Sequence, residues 1–132
     1  MSRGPEAAFW KRVRAAWCGH AVRIEASDSE VDPGTPDCVL SIGWRGGFIE
    51  LKVWSDDVSP VQLAWHVDAI SRGAYAMVLS ELPDGSVWLG SAENYFELTE
   101  AKQVPEGTSL HSALGMVQSA LLRASSLKLK AK

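Results

Sequence analysis

The chain has 132 residues and a formal net charge of -3, a size that suits one compact domain spanning 1–132. Its 46% hydrophobic and 22% charged residues exclude an intrinsically disordered chain, and no run of about 18 apolar residues offers a membrane-spanning helix. The acidic total argues against a protein that coats nucleic acid. Two cysteines without a CxxC pair, and a start that reaches charge before any long apolar run, predict reduced thiols in a cytoplasmic protein.

Pro5 suits a first helical residue and Glu6 adds favourable charge to the first turn. Phe9, Trp10, Val13, Ala16 and Trp17 follow at helical spacing, with Gly19 as the stop. His20–Ala26 alternates as a strand, and a turn-rich loop leads to strands at Asp37–Ile42 and Phe48–Val53 joined by an Arg45-Gly46-Gly47 turn. Ser59-Pro60-Val61-Gln62 is a helix entry with a capping box, opening a helix whose apolar positions are Leu63, Val67 and Ile70. A hairpin is expected next, from AYAMVLSEL through Pro83-Asp84-Gly85 to SVWLG, then a short helix over Ala92–Leu98. A last helix is expected over Ser109–Ser125 with Leu110, Leu114, Val117, Leu121 and Leu122 inward, and 125–132 as a frayed basic tail. The fold class is α/β, a mixed sheet of about five strands flanked by helices in two or three layers.

Glu50 and Lys52 interrupt a strand that is otherwise apolar. Alternation points them to one face, roughly 7 Å apart, while Ile49, Leu51 and Val53 point to the other. A tight hairpin brings Asp37 beside Glu50, where two carboxylates repel and each becomes harder to ionise. A hard divalent cation removes that penalty, and Mg²⁺ favours one or two carboxylates with water and phosphate oxygens.

Pro36-Asp37 followed by Glu50-Leu51-Lys52 resembles the PD-(D/E)xK nuclease superfamily. Gly34-Thr35-Pro36-Asp37, Phe48–Val53 and Ser59-Pro60-Val61-Gln62 are similar, in order, to the GxPD, iELKv and SpxQ blocks of its VRR-NUC and phage Holliday-junction-resolvase-like branch. The RGAYAMVL segment resembles the strand that follows there, so the likeness covers about the first two-thirds of the chain. It implies a restriction-endonuclease-like core and a metal-dependent DNA endonuclease that leaves 5′-phosphate ends. The metal ligands would be Asp37, Glu50 and the Leu51 backbone carbonyl, with Mg²⁺ as cofactor and Mn²⁺ substituting. Lys52 would orient or deprotonate the attacking water and stabilise charge on the phosphoryl group. Gln62 would reach the metal-bound water or the phosphate. An acid on the first helix, Glu6, would hold the outer water shell or a second ion; Glu25, Glu30 and Asp32 are rivals for that place.

Small members of this branch resemble structure-specific enzymes of phage or bacterial origin that cut branched DNA, which implies a homodimer. Lys11, Arg12, Arg14 and Arg45 are candidate phosphate contacts, or equally a solvated helix face and an exposed turn. Trp44 and Trp54 flank the site, where they stack on bases or pack on the sheet. His66 lies one turn after Gln62, where it faces the same site or, as the favoured expectation, a solvated side of the helix; His20 and His111 make no ligand pair. The competing expectation is a non-catalytic nuclease-fold subunit for nucleic-acid binding or assembly, and RNA cleavage is a further alternative with the same residues.

Overall fold

The computed structural model describes residues 3–24 and 34–131. The elements run α1 (Arg3–Ala16), β1 (His20–Arg23), β2 (Cys38–Ile42), β3 (Arg45–Val53), α2 (Pro60–Ser71), β4 (Ala76–Glu81), β5 (Val87–Gly90), α3 (Ala92–Glu100) and α4 (Leu110–Ala131). One five-stranded sheet has the order β1-β2-β3-β4-β5. Only β3 and β4 are parallel, with Glu50 beside Val78 and Lys52 beside Ser80; every other pair is antiparallel. The parallel pair requires a crossover, and α2 supplies it. This is the α/β fold with a mixed sheet that the alternation and helix signals predict.

The two faces of the sheet do different jobs. On one, Cys38, Leu40, Ile49, Leu51, Leu79 and Val87 pack against Phe9, Val13 and Trp17 of the α1 region and Leu114, Val117 and Leu121 of α4. Each fully buried aliphatic or aromatic side chain there contributes roughly 1.5–3 kcal/mol. The other face carries a small cluster of Val58, Val78, Ala92 and Tyr95, flanked by Trp54, Leu63 and Trp88. It also carries the buried polar residues Glu50, Lys52, His66 and Ser80. Stability comes from the first face, and the second is free to hold charge.

Several details depart from expectation. The β2–β3 turn is Gly43-Trp44, because Ile42 pairs with Arg45, and Gly46 and Gly47 lie within β3. Gly43 takes φ 61° as the first central residue of the turn, which suits a two-residue hairpin. Gly47 serves packing instead: a Cβ there would sit 2.6 Å from Cδ1 of Tyr75 and 3.3 Å from Cδ2 of Leu121. Gly47→Ala is therefore expected to lower the unfolding free energy by about 1–3 kcal/mol in urea titration. In α2, Val67 and Ile70 are each 43% exposed, whereas His66 is buried. The capping box between Ser59 and Gln62 forms as the sequence predicts, and it turns the Gln62–His66 line of the helix to the sheet. Leu122 is also exposed rather than inward, one residue and about 100° past the buried Leu121. Helix α4 continues to Ala131 through the segment expected to fray, since no proline or glycine follows Gly115 and Leu, Lys and Ala are strong helix formers.

Candidate active site

Asp37 immediately precedes β2, and Glu50 and Lys52 lie on β3. The loop that carries Asp37 lies against the first turn of α2, where the Cβ position of Gly34 is 2.5 Å from the Val61 carbonyl oxygen. Asp37 accepts a hydrogen bond from the Leu51 N–H at 2.9 Å, so its side chain extends the β2–β3 ladder by one rung. Continuing the register past Cys38–Ile49 sets Pro36 opposite Leu51. Proline has no N–H to give, so the Leu51 carbonyl lacks that ladder partner. The amides of Phe48 and Trp54 bond to β4 and the segment before it, so by strand alternation both backbone groups of Leu51 face the Asp37 side.

Lys52 and Gln62 lock the other half of the site. The Lys52 ammonium donates to the Asp57 carbonyl at 2.9 Å and to Gln62 Oε1 at 3.1 Å, and stands 3.7 Å from Glu50 Oε2. Gln62 Nε2 donates to Glu50 Oε2 at 3.2 Å. The same Gln62 Oε1 accepts from the Ser59 N–H at 3.0 Å, and the Gln62 N–H donates to Ser59 Oγ at 3.1 Å. One glutamine thus caps the helix and ties Lys52 to Glu50.

Burial, reinforced by the charge of Asp37, pushes the Glu50 carboxyl up to about 9, against the opposing pull of Lys52. In metal-free protein near neutral pH one proton therefore stays on Glu50. Glu50 Oε1 is buried and receives no donor from the described residues, and the proton that Glu50 keeps is shared with the Asp37 carboxylate beside it. Glu6 is also raised, first by burial and then by Asp37, while Arg23 and Lys52 act the other way. Its carboxylate accepts from Arg23 at 3.3 Å, so the first turn of α1 reaches the rim of the site. Glu25, Glu30 and Asp32 lie outside the described residues. The buried Cys38 thiol is pushed well up by burial, Asp37 and Glu50, which keeps it protonated and unreactive.

The structure brings Asp37, Glu50, Lys52 and Gln62 together and sets Glu6 within their field. It does not gather the basic residues. Arg12 forms an ion pair with Glu81 and donates to the Gly85 carbonyl at 3.3 Å. Lys11 and Arg14 are exposed on α1, across the sheet from Glu50 and Lys52. Arg45 is at the hairpin tip, five residues before Glu50. Trp54 packs edge-on against Tyr95, centroids 5.8 Å apart, and serves the sheet. His66 overturns the favoured expectation of a solvated face and takes the alternative one, turned inward. It is buried, both ring nitrogens lack partners, and its pKa is lowered by burial and by the charge of Lys52. Its position four residues after Gln62 is the signal that marks it.

Among the described residues, no group of three or more His, Cys, Asp or Glu side chains is arranged to hold a metal. Two carboxylates, a carbonyl short of a partner and a carboxylate oxygen that receives no donor nevertheless fit a hard divalent ion that keeps several waters.

No protein-family model matches the sequence, and no curated protein does. A solved structure of Hjc, a Holliday junction resolvase from the archaeal hyperthermophile Archaeoglobus fulgidus, is similar with a TM-score of 0.52. The match covers 84% of this chain and 96% of that one at 21% identity. The likeness shows the fold: an α/β domain with a five-stranded mixed sheet that matches the restriction-endonuclease-like fold of Hjc. No described helix is long and apolar enough to cross a membrane.

Proposed function

We propose that the protein is a metal-dependent endonuclease that hydrolyses phosphodiester bonds in branched DNA. The observation that carries this reading is the convergence of Asp37, Glu50, Lys52 and Gln62 around a buried carboxylate oxygen that receives no donor from the described residues. In this reading Asp37, Glu50 and the Leu51 carbonyl hold Mg²⁺, or Mn²⁺ in its place, and Glu6 acts on the ion's outer water shell. A bound divalent ion supplies Lewis acidity towards the phosphoryl oxygen and a water of lowered pKa.

The chain's own residues provide position and charge. Asp57 and Gln62 fix the Lys52 ammonium by two hydrogen bonds. The ammonium held in this way would stabilise charge that develops on the phosphoryl oxygens, where a fixed cation is worth most. Gln62 holds Glu50 Oε2 in place and leaves Oε1 for the ion. The 3′ oxygen leaves, giving a 5′-phosphate end.

The likeness to a Holliday junction resolvase and the order of the PD, ELK and SPxQ blocks support a branched substrate, an intracellular site of action and a place in the VRR-NUC and phage resolvase-like branch. Two symmetric cuts require two active sites, hence a homodimer with a two-fold axis. The test incubates a supercoiled plasmid and a synthetic four-way junction with the protein in Mg²⁺, Mn²⁺ or EDTA. Paired symmetric nicks that need the metal are expected. Junction binding without cutting in either ion would assign the chain to the non-catalytic, assembly-subunit reading instead.

A further inference from the structure

The tip of the β2–β3 hairpin carries a side chain that the fold does not use. Trp44 is 78% exposed and belongs to neither apolar cluster. The turn requires Gly43, not an indole beside it. A tryptophan left in water forgoes one of the largest apolar burials available to any residue. The Arg45 guanidinium lies over the indole ring, its Cζ 4.8 Å from the centroid. Arg12, Arg23 and Arg72 each have a carboxylate partner, whereas no described carboxylate pairs with Arg45, and its Nε is buried without a hydrogen-bond acceptor.

We infer that Trp44 and Arg45 form a platform that stacks an unpaired base of the DNA substrate and neutralises the adjoining phosphate. The inference rests on the nuclease reading above and names the feature of the substrate that the protein selects. An exposed aromatic face beside an unpaired cation suits a ligand with a π surface and a negative charge, which describes a nucleotide. Arginine on one side of the ring leaves the other side open. Paired bases in continuous duplex bury their faces against each other, so only a base freed at a branch, flap or gap meets the indole. The platform therefore reads structure without reading sequence. Arg45 opens the strand that carries the chemistry, and Trp44, in the turn just before it, lies six residues or about 20 Å along the chain from Glu50. At 3.4 Å per nucleotide, the stacked base lies about six nucleotides from the bond that is cut.

The experiment measures binding of a four-way junction and a matched linear duplex in EDTA, with 2-aminopurine placed at successive positions. Trp44→Ala is expected to weaken junction binding at least about fivefold, from the usual size of base–aromatic stacking, and duplex binding less than about twofold. Trp44→Phe retains most of the junction affinity. Wild type changes 2-aminopurine fluorescence most at about six nucleotides from the cut, and Trp44→Ala does not. Arg45→Ala lowers the salt dependence by about one phosphate contact. Equal weakening of junction and duplex, or no weakening of either, overturns the platform. So does a Trp44→Ala protein that binds DNA normally but sediments as a smaller oligomer, which would assign the tip to a protein contact. Wild type that neither binds nor cuts DNA overturns the nuclease reading itself. Wild type that cuts junctions no differently from Trp44→Ala overturns only the platform.

Discussion

Lys52→Ala is expected to slow strand cleavage roughly a thousandfold while leaving the fold and DNA affinity nearly intact. The magnitude follows from the loss of one fixed donor at a centre of developing charge, which costs about a hundred- to a thousandfold in comparable sites. Stability should change little. Gln62 Oε1 still accepts from the Ser59 N–H, and Gln62 Nε2 still donates to Glu50. The Asp57 carbonyl loses its lysine donor, at a cost of about 1 kcal/mol. Lys52→Arg keeps the charge but replaces a compact ammonium by a planar fork that does not fit the same two acceptors, so it should restore little activity. Single-turnover cleavage of a junction, with melting curves and a binding titration alongside, checks all three parts. A Lys52→Ala enzyme that cuts within about tenfold of wild type would remove lysine from the mechanism.

Glu50→Gln is expected to abolish metal-dependent cutting and, without metal, to make the protein more stable at alkaline pH. The folded-state pKa of Glu50 is raised from an ordinary 4.5 to about 9. Between those values the folded protein holds a proton that the unfolded chain releases. Its contribution to stability is therefore largest in acid and falls as pH rises through the window. From pH 7 to 8.5 the loss is on the order of 2 kcal/mol, at 1.36 kcal/mol per unit. That interval lies above the ordinary range of histidine. The lowered pKa of His66 acts as pH falls through that range, where the unfolded chain gains a proton that the folded protein refuses. Glutamine keeps the shape of Glu50 and loses the titration, so its stability should stay nearly flat over the same interval. Urea unfolding of both proteins in EDTA at the two pH values measures the difference. Added Mg²⁺ should stabilise wild type at pH 8.5 and leave Glu50→Gln unchanged.

The mixed sheet, the flanking helices and the opposed faces of β3 were legible in the sequence because alternation and capping are local signals. Ser59, Pro60 and Gln62 alone placed the start of α2. The double life of Gln62 was legible only in part: the cap is local, but its bond to Glu50 spans twelve residues and depends on the crossover. The hairpin turn was misread because two successive glycines look like a turn, whereas Gly47 is shaped by the approach of Tyr75, a contact no local window contains. His66 was misplaced for a related reason. Helical periodicity favoured Val67 and Ile70 as the inward positions, yet the sheet beneath α2 carries Glu50 and Lys52, and a polar floor draws a polar line of the helix towards it. Arg12, a candidate phosphate contact in the sequence, is held by Glu81, a partner 69 residues away.

The most direct measurement is a crystal structure of the protein soaked in Mn²⁺, with the ion located by its anomalous signal. The account places one ion against Glu50 Oε1, the Asp37 carboxylate and the Leu51 carbonyl, with water filling the remaining positions. A fully soaked crystal with no anomalous peak between those groups, or with Glu50 still protonated against Asp37, would contradict it.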